Sequence, residues 1–161
     1  MPEVAAGCLG HFLDLKRRTP TPRKARTPKQ TAAPPAPRVL SIEDDVAMGQ
    51  FLKAVFGSQG FAIAVATDGR EGLALARENP PDLIILDLLM PYKNGFEVLR
   101  ELRGDPATRA VPVIFLSSNS REEDIVKALT AGADDFVVKP FRARELVARV
   151  RKVLGRSRVK R

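Results

Sequence analysis

The chain has 161 residues, a length typical of a single domain, and 44% of them are hydrophobic. It contains one cysteine, Cys8, and one histidine, His11, which excludes an internal disulfide, a cysteine-rich zinc cluster and any site built from several imidazoles. The net charge of +8 is uneven, because residues 1–37 hold seven Lys/Arg residues against only Glu3 and Asp14. No apolar run is long enough to span a bilayer. We expect a cytoplasmic protein, and because it has only one cysteine and one histidine, its chemistry must rely on carboxylates, hydroxyls and lysine.

The segment 1–37 also contains seven of the 13 prolines. Proline removes backbone hydrogen-bond donors, and a chain with so much charge buries too little apolar surface to offset its ordering entropy. We therefore predict a basic, mostly disordered tail at 1–37, a folded domain at 38–156 and a short basic tail at 157–161. The first tail has either no specific role or a weak contact with nucleic acid or anionic lipid.

From Arg38 onward, apolar runs alternate with amphipathic stretches, which is typical of repeated strand–helix units. The predicted strands are 39–42, 61–66, 82–86, 111–116 and 134–138. The predicted helices are 46–57, 69–78, 95–103, 121–131 and 142–154. Five such units predict an α/β fold with a doubly wound, five-stranded parallel sheet of the flavodoxin-like type. In this architecture the carboxyl ends of the strands form the binding crevice.

Polar side chains follow four of the predicted strands at this edge. They are Glu43, Asp44 and Asp45 after the first strand, Asp87 after the third, Ser117 and Ser118 after the fourth, and Lys139 after the fifth. Each acid taken alone is better explained as a helix cap, since aspartate caps helices well. Their occurrence together at matching strand ends indicates a single site.

Three neighbouring carboxylates repel one another, each pair by about 4 kcal/mol at 4 Å when the effective dielectric constant is near 20. One lysine cannot neutralise that repulsion, whereas a divalent cation with oxygen ligands can, and Mg²⁺ suits a site of few carboxylates, phosphate and water. A carboxylate held by a metal beside a lysine and a hydroxyl is suited to phosphoryl transfer. Asp87 would then be the nucleophile that forms an acyl phosphate.

The site residues fall in the segments VLSIEDD, DLIILDLLMPYKNGFEVL, VPVIFLSS and AGADDFVVKPF. Through these segments the chain from Arg38 to about Arg156 resembles the receiver domain of bacterial response regulators. The resemblance implies that a histidine kinase or phosphotransfer protein phosphorylates Asp87 and that the domain then signals to a downstream protein. It also implies a signalling domain that catalyses only its own phosphorylation and dephosphorylation, and not an enzyme in the usual sense.

The resemblance assigns the metal contacts. Asp44 is expected to bind Mg²⁺ directly and Glu43 through water. Asp87 is expected to be both phosphoacceptor and ligand, and the backbone carbonyl of Leu89 should complete the protein's contacts with the metal.

The resemblance also implies the parts of a switch. Ser117 is expected to turn its hydroxyl toward the phosphoryl oxygen, and Lys139 is expected to pair with the phosphoryl group. The peptide bond between Lys139 and Pro140 is expected to be cis. Phe136 occupies the aromatic switch position, where its rotamer would report the state of Ser117 to the surface of the fourth helix, fifth strand and fifth helix. Plain core packing is the alternative role for Phe136.

We also expect specific roles for several individual residues. Asp45 should begin a helix, and Asp134 and Asp135 should be structural. Leu89 and Asn119 lie two residues beyond the acceptor and the hydroxyl, where the family tunes hydrolysis of the acyl phosphate. Because leucine cannot hydrogen-bond an attacking water, we expect a long-lived phosphorylated form.

The segment after Leu154 is too short for a DNA-binding output domain, so we expect either a single-domain regulator or a fragment of a longer transcriptional regulator. Asp135, Glu145 and Arg149 match charged residues of a phosphorylation-linked homodimer interface. Ile125, however, stands where a basic partner for Glu145 is usual. A solvated charged helix is the alternative.

Two other classes of function compete with the signalling interpretation. A phosphatase-like hydrolase would need a second acid shortly after Asp87, and residues 88–92 contain none. A nucleic-acid-binding protein led by the basic tail would bind in a salt-dependent manner without needing Asp87. The remaining alternative is a phosphorylation-independent binding module whose basic tail contacts nucleic acid.

Overall fold

The computed structural model describes residues 34–159. The disorder predicted for residues 1–33 of the tail therefore falls outside the described residues. Within the described range, five strands alternate with five helices. The strands are β1 (Arg38–Ile42), β2 (Ala62–Ala66), β3 (Leu83–Asp87), β4 (Val113–Ser117) and β5 (Asp135–Val138). The helices are α1 (Val46–Ser58), α2 (Gly69–Glu78), α3 (Gly95–Gly104), α4 (Glu122–Thr130) and α5 (Ala143–Val159).

All the strands pair in parallel, in the order β2-β1-β3-β4-β5. Every residue of β3 and β4 is buried, as apolar strands covered on both faces should be. On one face, α2 and α3 pack through residues such as Leu73 and Leu99. On the other, α1 and α5 pack through residues such as Phe56 and Val150. The predicted doubly wound sheet is confirmed.

Two local features fix where α1 and α3 begin. The side chain of Asp45 accepts hydrogen bonds from the backbone N–H of Ala47 (2.8 Å) and Met48 (3.2 Å), so Asp45 begins α1 as predicted. At Gly95, an added Cβ would lie only 2.5 Å from the backbone oxygen of Asp87. Glycine therefore lets α3 start directly against the end of β3.

Arg103 connects three segments near the amino-terminal ends of the strands, a role that the sequence did not reveal. Its guanidinium donates to the backbone oxygens of Gly132 and Val111, each at 2.8 Å. It also lies 3.5 Å from Asp134, whose carboxylate accepts from the backbone N–H of Val113 at 2.9 Å. The structural role predicted for Asp134 is thus visible as a link between the α4–β5 loop and the start of β4.

Helix α5 differs from the expectation, because it continues to Val159 instead of ending at residue 154. Gly155 lies inside the helix, and one glycine inside a helix costs only about 1 kcal/mol relative to alanine. No proline follows it in the sequence, so nothing there forces the helix to stop.

Candidate functional site

Three carboxylates meet at the carboxyl ends of neighbouring strands. Glu43 and Asp44 follow β1, and Asp87 is the last residue of β3, which pairs directly with β1. One carboxylate oxygen from each of the three lies within 4.8 Å of those of the other two. Glu43 and Asp87 are 2% and 6% exposed, whereas Asp44 is more open to solvent. The sheet thus brings together the three acids that the sequence predicted to share a site.

Lys139 joins this cluster from β5, on the far side of β4. Its Nζ donates to Oε2 of Glu43 at 2.9 Å and to Oδ2 of Asp87 at 3.1 Å. Its backbone N–H donates to the carbonyl oxygen of Ser117 at 2.8 Å, which fixes the start of the side chain beside β4. The bond from Lys139 to Pro140 is cis, as expected.

Burial and charge shift the protonation of this cluster. Burial raises the pKa of Glu43 to about 7, and the nearby charge of Asp87 adds to the rise, against the lowering effect of the hydrogen bond from Lys139. Burial acts to lower the pKa of Lys139, but the hydrogen bond to Glu43 and the charge of Asp87 outweigh it and raise that pKa. Lys139 therefore remains a cation and only partly compensates the acids.

The residues present fit a hard divalent cation. All the side-chain donors of Glu43, Asp44 and Asp87 are carboxylate oxygens, which Mg²⁺ prefers. One ammonium against three carboxylates leaves negative charge that a cation would neutralise. The three oxygens lie within 4.8 Å of one another, so a single small cation bound there would be within reach of all three side chains. The acidic cluster can therefore hold a metal ion.

The loop after β3 contacts the same acid. The backbone N–H of Leu89 donates to Oδ1 of Asp87 at 3.1 Å, so Asp87 is held by the loop at one oxygen and by Lys139 at the other. The side chain of Leu89 is 59% exposed. The predicted contact of the Leu89 carbonyl with a metal stays a prediction.

Ser117 is fully buried at the end of β4, and its hydroxyl accepts from the backbone N–H of Asn119 at 3.0 Å. The amide of Asn119 donates to Asp124 of α4, and its oxygen accepts from the backbone N–H of Arg121 at 3.1 Å. The sequence did not predict this link between the β4–α4 loop and α4. Within the described residues, Ser117 and Asn119 have no hydrogen bond to Asp87.

Phe136 lies on β5 with 8% of its surface exposed. Its ring faces that of Phe115 on β4 at a centroid distance of 6.2 Å. The predicted switch residue is therefore turned inward, packed in the core beneath the site.

Asp135, Glu145 and Arg149 form one group on the outer face of β5 and α5. Arg149 donates to Asp135 at 3.0 Å and to Glu145 at 3.0 Å, all within the chain. All three charged side chains are at least partly exposed, so each ion pair contributes at most about 1 kcal/mol to the stability of the fold. The three charged residues expected at a homodimer interface are therefore present, but within this chain they pair with one another.

The parallel sheet and its acidic site define a class of signalling domain. The family model described as response regulator receiver domain matches residues 39–151. The chain therefore belongs to the response-regulator receiver domain family of two-component systems. None of the described helices is long and apolar enough to cross a membrane.

Among curated proteins, the chain is 42% identical over 120 residues to the DNA-binding response regulator MtrA of Mycobacterium tuberculosis strain H37Rv. It is 45% identical over 121 residues to the transcriptional regulatory protein AfsQ1 of Streptomyces coelicolor. These matches cover 74% and 75% of this chain but 51% and 52% of the relatives, so the chain spans about half the length of the curated relatives it matches.

Among solved structures, the receiver domain of the Francisella response regulator 1452 is similar, with 38% identity and a TM-score of 0.71. That similarity covers 75% of this chain and 98% of the other. The likeness thus extends over a complete receiver domain.

Proposed function

We propose that this receiver domain is activated by phosphorylation of Asp87, with Mg²⁺ held by Glu43, Asp44, Asp87 and the backbone carbonyl of Leu89. The observation that carries the proposal is the buried Asp87 carboxylate, 3.1 Å from Lys139 and clustered with two further acids at the strand ends. Such a group is a nucleophile placed among the charges that phosphoryl transfer requires.

The phosphodonor is a phosphohistidine of a partner, either a histidine kinase or a phosphotransfer protein. A carboxylate oxygen of Asp87 attacks the phosphorus, the new P–O bond forms, and the P–N bond breaks with its electron pair going to the imidazole nitrogen. Lys139 shifts its ammonium from Asp87 to a phosphoryl oxygen, which needs little movement because Nζ already lies between the two acids. A bound Mg²⁺ would neutralise charge shared by the carboxylates and the phosphoryl oxygens.

The signal leaves the site through Ser117 and Phe136. We infer that the Ser117 hydroxyl exchanges its contact with the Asn119 N–H for a phosphoryl oxygen, to which it donates. That movement opens space beside β4, and the buried ring of Phe136 changes its orientation relative to Phe115 in response. The surface of α4, β5 and α5 then changes for a downstream protein target.

The experiment is incubation of the full chain with acetyl phosphate and Mg²⁺, followed by intact mass measurement. We expect the mass of one added phosphoryl group, absent without Mg²⁺ and absent in Asp87→Asn. Asp45→Asn is the matched control, because Asp45 caps α1 and lies outside the cluster. An adduct that persists in Asp87→Asn would refute the assignment of the acceptor.

A phosphorylation-linked homodimer is one output that this surface would serve. Its charged residues Asp135, Glu145 and Arg149 would have to exchange their present partners within the chain for those of a second copy. Light scattering with and without a beryllofluoride complex tests it. A monomer under both conditions excludes the homodimer.

The relatives named as DNA-binding and transcriptional regulators favour a second candidate, in which this domain is the receiver part of a longer transcriptional regulator. The mass of the native protein decides between the two. A native mass of 17.6 kDa, that of the 161 residues, would exclude the longer regulator.

A further inference from the structure

A groove between α1 and α5 has no part in the proposed phosphorylation. Its cavity volume is about 370 Å³. It is lined by Val55, Val147 and Ala148, called the floor here, by the exposed Arg144 and Arg151, called the rim, and by Ser58, Gln59 and Ala143. Val147 is buried and Val55 half-buried, while Ala148 and both arginines are exposed. The groove thus offers apolar contact between two cations.

The groove lies away from the phosphorylation site. Helix α1 begins directly after β1, beside the acidic cluster, and runs toward the opposite edge of the sheet. Nearer the site, Phe51 of α1 contacts Phe141, with ring centroids 6.4 Å apart. The groove begins one turn further along α1, at Val55. The lining of the groove includes none of the acidic residues of the phosphorylation site.

Helix α5 gives this groove its charge. From Ala143 to Val159 it carries six basic residues and one acidic residue, Glu145. Arg149 is paired with Asp135 and Glu145, whereas Arg144 and Arg151 have no salt bridge to any described residue. Arg151 donates to Gln59 at 3.0 Å, which holds it at the end of the groove. The rim is therefore positively charged and available to anionic groups.

The spacing of the two arginines fits a helix. Arg144 and Arg151 are seven residues apart, which is two helical turns or about 10.5 Å along the axis. An amphipathic helix repeats its apolar stripe over the same distance and can carry acids beside it. We propose that the α1–α5 groove docks an acidic amphipathic helix of a partner protein, a function beyond the phosphorylation of Asp87.

Two other occupants fit the groove less well. Nucleic acid would use the arginines, but its phosphates gain nothing from the floor formed by Val55 and Val147. A second copy of the chain, packed symmetrically, would bring Arg144 and Arg151 against their own counterparts, because the same patch meets itself in a two-fold interface. The combination of apolar floor and basic rim favours an acidic helix.

The first test uses two synthetic peptides of about 16 residues, enough for four helical turns. One carries leucines at i, i+3, i+4 and i+7 with flanking glutamates, and the other replaces every glutamate by lysine. Fluorescence anisotropy with the full chain should show binding of the acidic peptide and at least about tenfold weaker binding of the basic one. NMR shifts should map to Val55 and Val147. Absence of binding, or equal affinity for both peptides, would overturn the proposal.

The second test compares two double variants with the same change of charge on the same helix. Arg144→Glu/Arg151→Glu alters the groove, whereas Lys152→Glu/Arg156→Glu alters residues outside its lining. We expect the first to lose at least about tenfold in affinity for the acidic peptide and the second less than about threefold. NMR spectra of both verify the fold. Equal losses would mean diffuse attraction and no groove site.

A DNA duplex is titrated in parallel. Tighter binding of the duplex than of the acidic peptide, weakened in Arg144→Glu/Arg151→Glu, would assign the groove to nucleic acid and overturn the proposal. The same peptide affinity is expected in Asp87→Asn, because the groove does not depend on the phosphorylation site.

Discussion

Phe136 and Phe115 form an aromatic pair beneath the acidic site, with ring centroids 6.2 Å apart and ring planes tilted by 46°. Phe115 in turn contacts Phe96 of α3 at 5.6 Å, and Nζ of Lys127 on α4 lies 4.6 Å from the centroid of the Phe96 ring. The pair thus connects β5 with α3 and α4. Any rotation of Phe136 must change a contact that is buried in the core.

The coupling energy between Phe115 and Phe136 tests whether Phe136 is a switch residue or a plain core residue. In the metal-free protein, a double-mutant cycle of Phe115→Leu and Phe136→Leu, measured by urea unfolding, should give a coupling energy of about 1 kcal/mol. With Mg²⁺ and beryllofluoride bound, the coupling should change by most of that amount, because Phe136 turns relative to Phe115. The same coupling under both conditions would mean that Phe136 only fills the core.

We expect the acidic cluster to destabilise the fold when no metal is bound, because its carboxylates repel one another. Asp87→Asn removes one of three clustered carboxylates, so its metal-free free energy of unfolding should rise by about 1 kcal/mol, even though the contact with Lys139 weakens. Mg²⁺ should stabilise the original protein and have little effect on the variant. Urea unfolding with and without Mg²⁺ measures both, with Asp45→Asn as a control that keeps a capping side chain. A less stable metal-free Asp87→Asn would contradict this account of the pocket.

The raised pKa of Glu43 predicts an unusual dependence of stability on pH. In metal-free protein this carboxyl titrates near 7 when folded and near 4.5 when unfolded, so the folded state binds more protons between these values. Its contribution to stability is therefore fully present below about pH 4.5 and is lost as the pH rises through about 7.

The difference between the original protein and Glu43→Gln isolates this contribution. Relative to the variant, the original protein should lose free energy of unfolding as the pH rises from 4.5 to 7. Mg²⁺ should weaken the loss, because it favours the ionised carboxylate. A difference independent of pH would show that Glu43 titrates normally.

The sequence predicted the elements and the site acids for the same reason. Buried parallel strands are uniform apolar runs, and polar residues that follow them must lie at one edge of the sheet, as Asp87 and Lys139 do. The contacts of Arg103 with two loops, and of Asn119 with α4, could not be predicted, because they join residues by tertiary packing without any sequence pattern. The predicted end of α5 at residue 154 was wrong: the helix continues to Val159, because a single glycine costs a helix only about 1 kcal/mol.

The lifetime of the acyl phosphate depends on what surrounds an attacking water. The side chain of Leu89 beside Asp87 cannot hydrogen-bond water, and both polar ends of the Asn119 amide are engaged, by Asp124 and by the N–H of Arg121. Neither side chain therefore directs a polar group at Asp87, and we expect slow loss of the phosphoryl group from the isolated domain.

Leu89→Asn supplies such a group with little change in size. We expect it to accelerate dephosphorylation by about tenfold, since an oriented water loses less entropy on reaching the transition state. The control is Leu129→Asn, which changes another exposed leucine on α4, away from the acid cluster. Intact mass measurements over time, after removal of acetyl phosphate, give both rates. Rapid hydrolysis in the original protein, or equal rates in Leu89→Asn and Leu129→Asn, would show that another group positions the water, because the leucine would then have been no obstacle.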